Sequence, residues 1–129
     1  APWQETKLAA QLSEARVLLA LNKTDNALTV YDTVLSKTGN SVLLKSIAIE
    51  ATLGKGTYLQ LKGQNAEAVR VLNNVIERAS ATDIRTLAGA YTILGDCHRA
   101  LDQDKDALLA YLHVDILFSS QREYHPKAL

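Results

Sequence analysis

Asp102, Asp104 and Asp106 alternate along the chain as the first ligands of a calcium-binding loop do. Two other residues decide against calcium. Ala107 stands where that loop needs a glycine for its sharp turn, and His113 where it needs a bidentate glutamate. What remains is a helix turn with its cap. Cys97-His98 is the next candidate. No second cysteine precedes it at the spacing of a haem attachment, and a single Cys forms no internal disulfide. Cys97, His98 and His113 together would make a weak metal site. The preferred reading places His98 in helix packing and uses Cys97 as a small apolar filler. Glu50, Glu67 and Glu77 are spread along helix surfaces, where solvated charge is the default. No glycine-rich loop follows a strand to cradle phosphate, and Ser and His do not fall into a hydrolase arrangement. The expectation is a non-enzyme without metal or cofactor.

The stretch holding most of these residues, Leu87 to Phe118, reads as two antiparallel helices. Ile84, Leu87, Ala88, Tyr91, Leu94, Gly95, His98 and Leu101 recur at steps of three and four, which puts them on one helix face. Ala107, Leu108, Tyr111, Val114 and Phe118 do the same. The polar turn from Leu101 to Lys105 is too short for anything but antiparallel neighbours. Asp104 is the expected N-cap of the second helix, with Asp106 favouring its positive end. A second apolar line, Leu109, Leu112 and Ile116, lies on the other side of that helix. One partner cannot cover both lines, as in a helix stacked between neighbours in a solenoid.

This unit resembles a tetratricopeptide repeat. Tyr91 falls at the family's large aromatic position, Leu94 and Gly95 at its Leu-Gly pair, Ala107 at its alanine and Tyr111 at its second aromatic. His98 replaces the usual Tyr, Val114 a later Ala, and Ser119 the closing Pro. The resemblance implies an all-α fold, a right-handed superhelix of antiparallel helix pairs with about six helices. Gly95 and Ala107 would let the helices approach, with Tyr91 and Tyr111 filling the space around them.

Two weaker copies precede it, giving units of about 6–39, 41–80 and 83–119, with 120–129 as a tail or a further helix. Ala1 to Glu5 reads as a lead-in, with Trp3 folded back as an anchor. Thr6 caps a first helix reaching Leu21, with Leu8, Ala15 and Leu18 inside. Asn22 to Asn26 turns. A second helix buries Ala27, Tyr31, Val34 and Leu35, runs to Lys37 and stops at Gly39. Asn40 or Ser41 caps a third helix to Leu61. Gly56 sits at its close-contact position, whereas Gly54 has no reason visible in the sequence. Gly63 ends that helix, and Asn65 caps a fourth running from Ala66 to Ala79. It turns Ala68, Leu72, Val75 and Ile76 inward. Asp83 caps the fifth. His125-Pro126 looks like the start of another helix. The matched alanines, Ala27, Ala68 and Ala107, are spaced by 41 and then 39 residues (27 to 68 to 107). That exceeds the family's period of about 34 and also suits HEAT-type repeats. The glycine-to-alanine spacing in the last two units favours the tetratricopeptide form.

The 129 residues carry 14 basic and 14 acidic side chains. This balance argues against nucleic acid or an anionic membrane as partner. No apolar run approaches a membrane span. The chain lacks Met and starts Ala1-Pro2, which reads as a processed or excised piece. A removed signal peptide and a cloning boundary would both leave such a start, so the compartment stays open, with a lean to a bacterial exported protein of the periplasm or cell envelope.

In tetratricopeptide arrays the first helices line a concave groove. The outward positions are Leu12, Arg16 and Leu19, then Leu53, Thr57 and Gln60, then Thr92, Asp96 and Arg99. Such a lining suits a protein or peptide segment with a few apolar anchors. Family members that clamp a terminal carboxylate do so at positions occupied here by Leu12, Arg16, Gly54, Gly89 and Ile93. Only Arg16 is basic, so a clamp is not expected. The expected function is a non-catalytic scaffold binding a peptide or protein segment. The alternative is self-association within a longer array through the doubly apolar last helix.

Overall fold

The computed structural model describes the backbone of residues 2–124 and the side chains of 3–120. Within that span the chain forms six helices and no strand: α1 (Pro2–Ala20), α2 (Thr24–Thr38), α3 (Lys45–Leu61), α4 (Asn65–Arg78), α5 (Ile84–Ala100) and α6 (Asp104–Tyr124). The all-α reading and the number of helices hold. The suggested helix start at His125-Pro126 lies outside the described residues.

One kind of turn closes every pair. Asn22 (φ 64°), Gly63 (φ 79°) and Asp102 (φ 60°) each take the left-handed conformation just past a first helix. The next backbone N–H then reaches back to a carbonyl in the last helical turn: Lys23 to Leu18 at 2.8 Å, Gln64 to Leu59 at 2.9 Å, Gln103 to His98 at 2.8 Å. Such a turn satisfies carbonyls that a helix end leaves without partners. Asn and Asp tolerate this conformation better than other side chains, so one turn is made by three residue types. The turns repeat at the alanine spacing.

Several boundaries differ from expectation. Pro2 opens α1, where its fixed φ suits the first helical position, so Thr6 lies inside the helix and there is no lead-in. Trp3 is consequently 78 % exposed instead of folded back. Asn40 and Ser41 precede an irregular connection, and α3 begins at Lys45 without a side-chain cap. Asn65 and Asp104 are first helical residues rather than caps. Asp83 does cap α5, accepting the Thr86 N–H at 3.2 Å. Gly39 ends α2 as expected, at a positive φ of 50° but with ψ −132°, outside the left-handed helical conformation. Past Phe118, α6 continues to Tyr124.

Each helix packs on the next, and α1 also touches α3, and α3 touches α5. Among the described residues α2 and α4 do not meet, nor do α4 and α6. The first helices therefore form a continuous inner layer, and the second helices a splayed outer one. That asymmetry makes the inner layer concave. The core follows the array in two clusters. One joins Leu8, Leu12, Ala15, Ala27, Tyr31, Val34, Leu44 and Ala51; the other joins Ile49, Ala68, Leu72, Val75, Ala90, Leu94, Cys97 and Ala110.

Large-on-small contacts set the helix separations. A β-carbon at Gly54 would overlap the buried Tyr31 ring, and one at Gly56 would lie 2.8 Å from Leu72 Cδ2. At Gly95 it would meet Tyr111 Cε1 at 2.5 Å. Gly54, unexplained in the sequence, is the seat of the preceding unit's tyrosine. Around it, Lys55 pairs with Asp32 at 2.9 Å, and Tyr58 donates its hydroxyl hydrogen to Asp25 at 3.1 Å. These partners are partly exposed, so the pairs steer the helices more than they stabilise them.

Gly54→Ala gains up to about 1 kcal/mol of helix propensity, but overpacking a rigid core site costs about 1–3 kcal/mol. The expected net result is a loss of about 1 kcal/mol in urea unfolding, largely recovered in a Tyr31→Leu background. Gly95→Ala should cost less, since Tyr111 is only half-buried whereas Tyr31 is fully buried.

Candidate functional site

The concave layer carries an open cavity of about 490 Å³, within the range of small-ligand and peptide-anchor sites. Its walls are Leu12, Arg16 and Leu19 of α1, Glu50, Leu53, Gly54 and Thr57 of α3, and Arg85, Thr86, Gly89 and Ile93 of α5, with Tyr31 of α2 behind them. The floor is apolar. Tyr31 is 2 % exposed. Burial raises its hydroxyl pKa above the ordinary value, with Arg16 opposing that shift and Glu50 adding to it. Arg16 is exposed and donates a hydrogen bond to Ser13 Oγ at 3.1 Å. Neither Arg16 nor Arg85 enters an ion pair among the described residues, so two guanidiniums with open donors stand on the rim.

Of the nine residues predicted for the groove, five line this cavity: Leu12, Arg16, Leu19, Leu53 and Thr57. Leu12 contributes little accessible surface, being 2 % exposed and part of the core. Thr57 donates its hydroxyl hydrogen to the Leu53 carbonyl at 3.1 Å. Thr92 lies in a neighbouring depression. Gln60, Asp96 and Arg99 line neither. Asp96 is turned towards α6, where it accepts the Tyr111 hydroxyl hydrogen at 2.5 Å. That bond raises the Tyr111 pKa.

The residues missed are Tyr31, Glu50, Gly54, Arg85, Thr86, Gly89 and Ile93. Counting the same positions in every unit treats the surface as flat. A concave surface centred on α3 turns one flank of α1 inward and the opposite flank of α5, so the α5 lining shifts to Arg85, Gly89 and Ile93. A signal was present: Leu12, Arg16, Gly54, Gly89 and Ile93, the positions compared with a carboxylate clamp, all line the cavity. Arg16 and Arg99 are the cations expected in the groove; the cavity keeps Arg16 and has Arg85 in place of Arg99. Glu50, read as a solvated surface charge, stands half-buried in the wall.

The remaining chemical candidates are scattered. Cys97 is fully buried among Ala90, Leu94 and Val75. His98 Nδ1 lies 2.7 Å from Gln103 Oε1, and His113 stacks on Tyr91 with ring centroids 4.5 Å apart. Asp102 forms the turn, and Asp104 and Asp106 occupy the first turn of α6. Among the described residues no group of three His, Cys, Asp or Glu is placed to hold a metal. No described helix is long and apolar enough to cross a membrane.

Fold and site together define a helical-repeat array with an open cavity on its inner layer. The chain matches no protein-family model, no curated protein and no solved structure.

Burial raises the Cys97 thiol from its ordinary 9.0 to about 11, with Asp96 adding to the shift. Its folded pKa is therefore the higher one. The stability from keeping this thiol neutral is complete below pH 9 and is lost as pH rises from 9 to about 11. Urea midpoints measured across that interval should fall, and Cys97→Ala should flatten the fall. The native thiol should also resist alkylation until the protein unfolds.

Proposed function

We propose that the chain is a non-catalytic tetratricopeptide-like scaffold whose inner layer binds a protein segment. The observation that carries this reading is the cavity itself, an apolar floor with Arg16 and Arg85 on its rim. An extended or helical peptide fits such a surface by setting one or two apolar side chains on Leu53, Ile93 and Leu19. A carboxylate beside those anchors meets the guanidiniums, which favour planar, two-pronged hydrogen bonding. Glu50 in the same wall disfavours a second acid at its own position, which gives the site polarity and fixes the direction of the bound segment. The neutral overall charge fits a partner recognised locally and not through a broad electrostatic field.

The test is selection from a random peptide library, followed by fluorescence anisotropy on the winners. Winners should pair apolar anchors with an acid. Arg16→Ala combined with Arg85→Ala should weaken them about tenfold, since each exposed charged contact contributes about 0.5–1 kcal/mol. Gly89→Leu places a side chain in the cavity and should abolish binding. Residue 89 has room for a β-carbon, 3.7 Å from Leu53 Cδ2, so far-ultraviolet circular dichroism should stay unchanged. Winners that bind all variants as well as the parent would remove the groove from consideration.

A further inference from the structure

The three turns give a register for comparing units. Moving from Asn22 to Gly63 to Asp102 carries each position of the first unit onto its counterparts in the second and third. In this register the surface of α3 that packs on the first unit is Leu44, Ala51 and Tyr58, beside Gly54. In α5 the corresponding surface includes Ala90, Ile93 and Cys97. Most of these positions are covered: Leu44 is 8 % exposed, Ala51, Ala90 and Cys97 are 0 %, and Tyr58 and Ile93 are half-buried. The same positions on α1 are Trp3, Ala10 and Val17, beside Ser13. Here nothing among the described residues covers them. Trp3 is 78 % and Val17 56 % exposed, and Ala10 is exposed too. The small residue that seats a tyrosine in α3, Gly54, is matched in α1 by another small residue, Ser13.

The opposite end shows the complementary half. Between α5 and α6 lies a second depression of about 580 Å³, lined by Ile84, Ala88, Thr92, Ile93 and Phe118, among others. Phe118 is the register counterpart of Thr38, which is 3 % exposed under the next unit, yet Phe118 is 45 % exposed. Leu108, the counterpart of the half-buried Leu28 and Val69, is 59 % exposed. Each earlier helix pair receives the first helix of the next unit on this side, α3 on the first pair and α5 on the second. Among the described residues the third pair presents an open place of the same kind.

We propose that this place is filled by α1 of a second copy, which extends the array head to tail across two molecules. The argument is continuity with the two inter-unit interfaces inside the chain; it does not use the groove reading, although Arg85, Gly89 and Ile93 border both depressions. Trp3, Ala10 and Val17 then take the places of Leu44, Ala51 and Tyr58, and the partner's Phe118 takes the place of Thr38. The internal ion pair of Lys55 with Asp32 has no counterpart in the stack, because its positions hold Glu14 and Leu112. The contact is apolar, and salt does not dissociate it. Since the two faces differ, the interface is heterologous and leaves one open face at each end of any oligomer.

Sedimentation velocity on the purified chain tests this. The weight-average mass should rise with concentration past that of a dimer and should not fall in high salt. Ala10→Glu blocks one face and Phe118→Glu the other, and Val17→Glu serves as a second α1 variant. All three sites are exposed, so circular dichroism should match the parent. Each variant alone should be monomeric, with association at least tenfold weaker. An equimolar mixture of Ala10→Glu and Phe118→Glu should form a dimer and nothing larger, because one intact pair of faces remains. A parent that stays monomeric overturns the proposal. So does a single variant that dimerises as well as the parent, since that means two-fold pairing through one face.

Discussion

The Tyr31 ring occupies a space that exists only because residue 54 carries no β-carbon. That contact joins the first unit to the second, and its geometry decides how far α3 stands from α2. Leu72 on Gly56 and Tyr111 on Gly95 perform the same task within the second and third units. Interiors pack at crystal-like density, so a filled small site sets a separation that neighbouring side chains must respect. The concave layer and its cavity follow from these separations. Gly54 itself belongs to the cavity wall, so one residue both spaces the helices and leaves the groove open.

Much of this was legible as periodicity. Six helices, the three turns and the buried Ala27, Ala68 and Ala107 could be read from apolar spacing because each depends on local chemistry. Helix starts were less legible. Asn40, Ser41 and Asn65 have good capping side chains, but tertiary packing decided where α3 and α4 begin, and side-chain capping contributes only about 1 kcal/mol to such a choice. Gly54 could not be explained because its partner lies 23 residues earlier (Tyr31 to Gly54), a separation that no helical period connects. The groove was legible in part for a similar reason. Sequence register gives the face of each helix in isolation, whereas Arg85, Gly89 and Ile93 line the cavity because α5 is rotated relative to α1 by the curvature of the whole array.

Polar chemistry in this chain is mostly local. Thr52, Thr57 and Thr92 turn their hydroxyls back to carbonyls of their own helices, and Glu67 pairs with Arg70 one turn away on the exposed face of α4. Longer-range polar contacts join helices at a seam: Lys55 with Asp32 and Lys62 with Asp25 as ion pairs, and Tyr58 with Asp25 and Tyr111 with Asp96 as hydrogen bonds from tyrosine. In the last two the tyrosine ring adds apolar contact to the hydrogen bond. The residues that first suggested metal or haem chemistry are distributed between a buried seam, a turn and a stacked pair.

Among the described residues the outer helices α2, α4 and α6 do not approach one another; α2 and α4 each lie between two inner helices, and α6 rests on α5. A layer with gaps on one side bends more easily than a closed one. Opening or closing the angle between units widens or narrows those gaps, and the resistance to it comes from the inner edge, where Tyr31 on Gly54 fixes the spacing; the array is stiff along one edge and open along the other, like a comb.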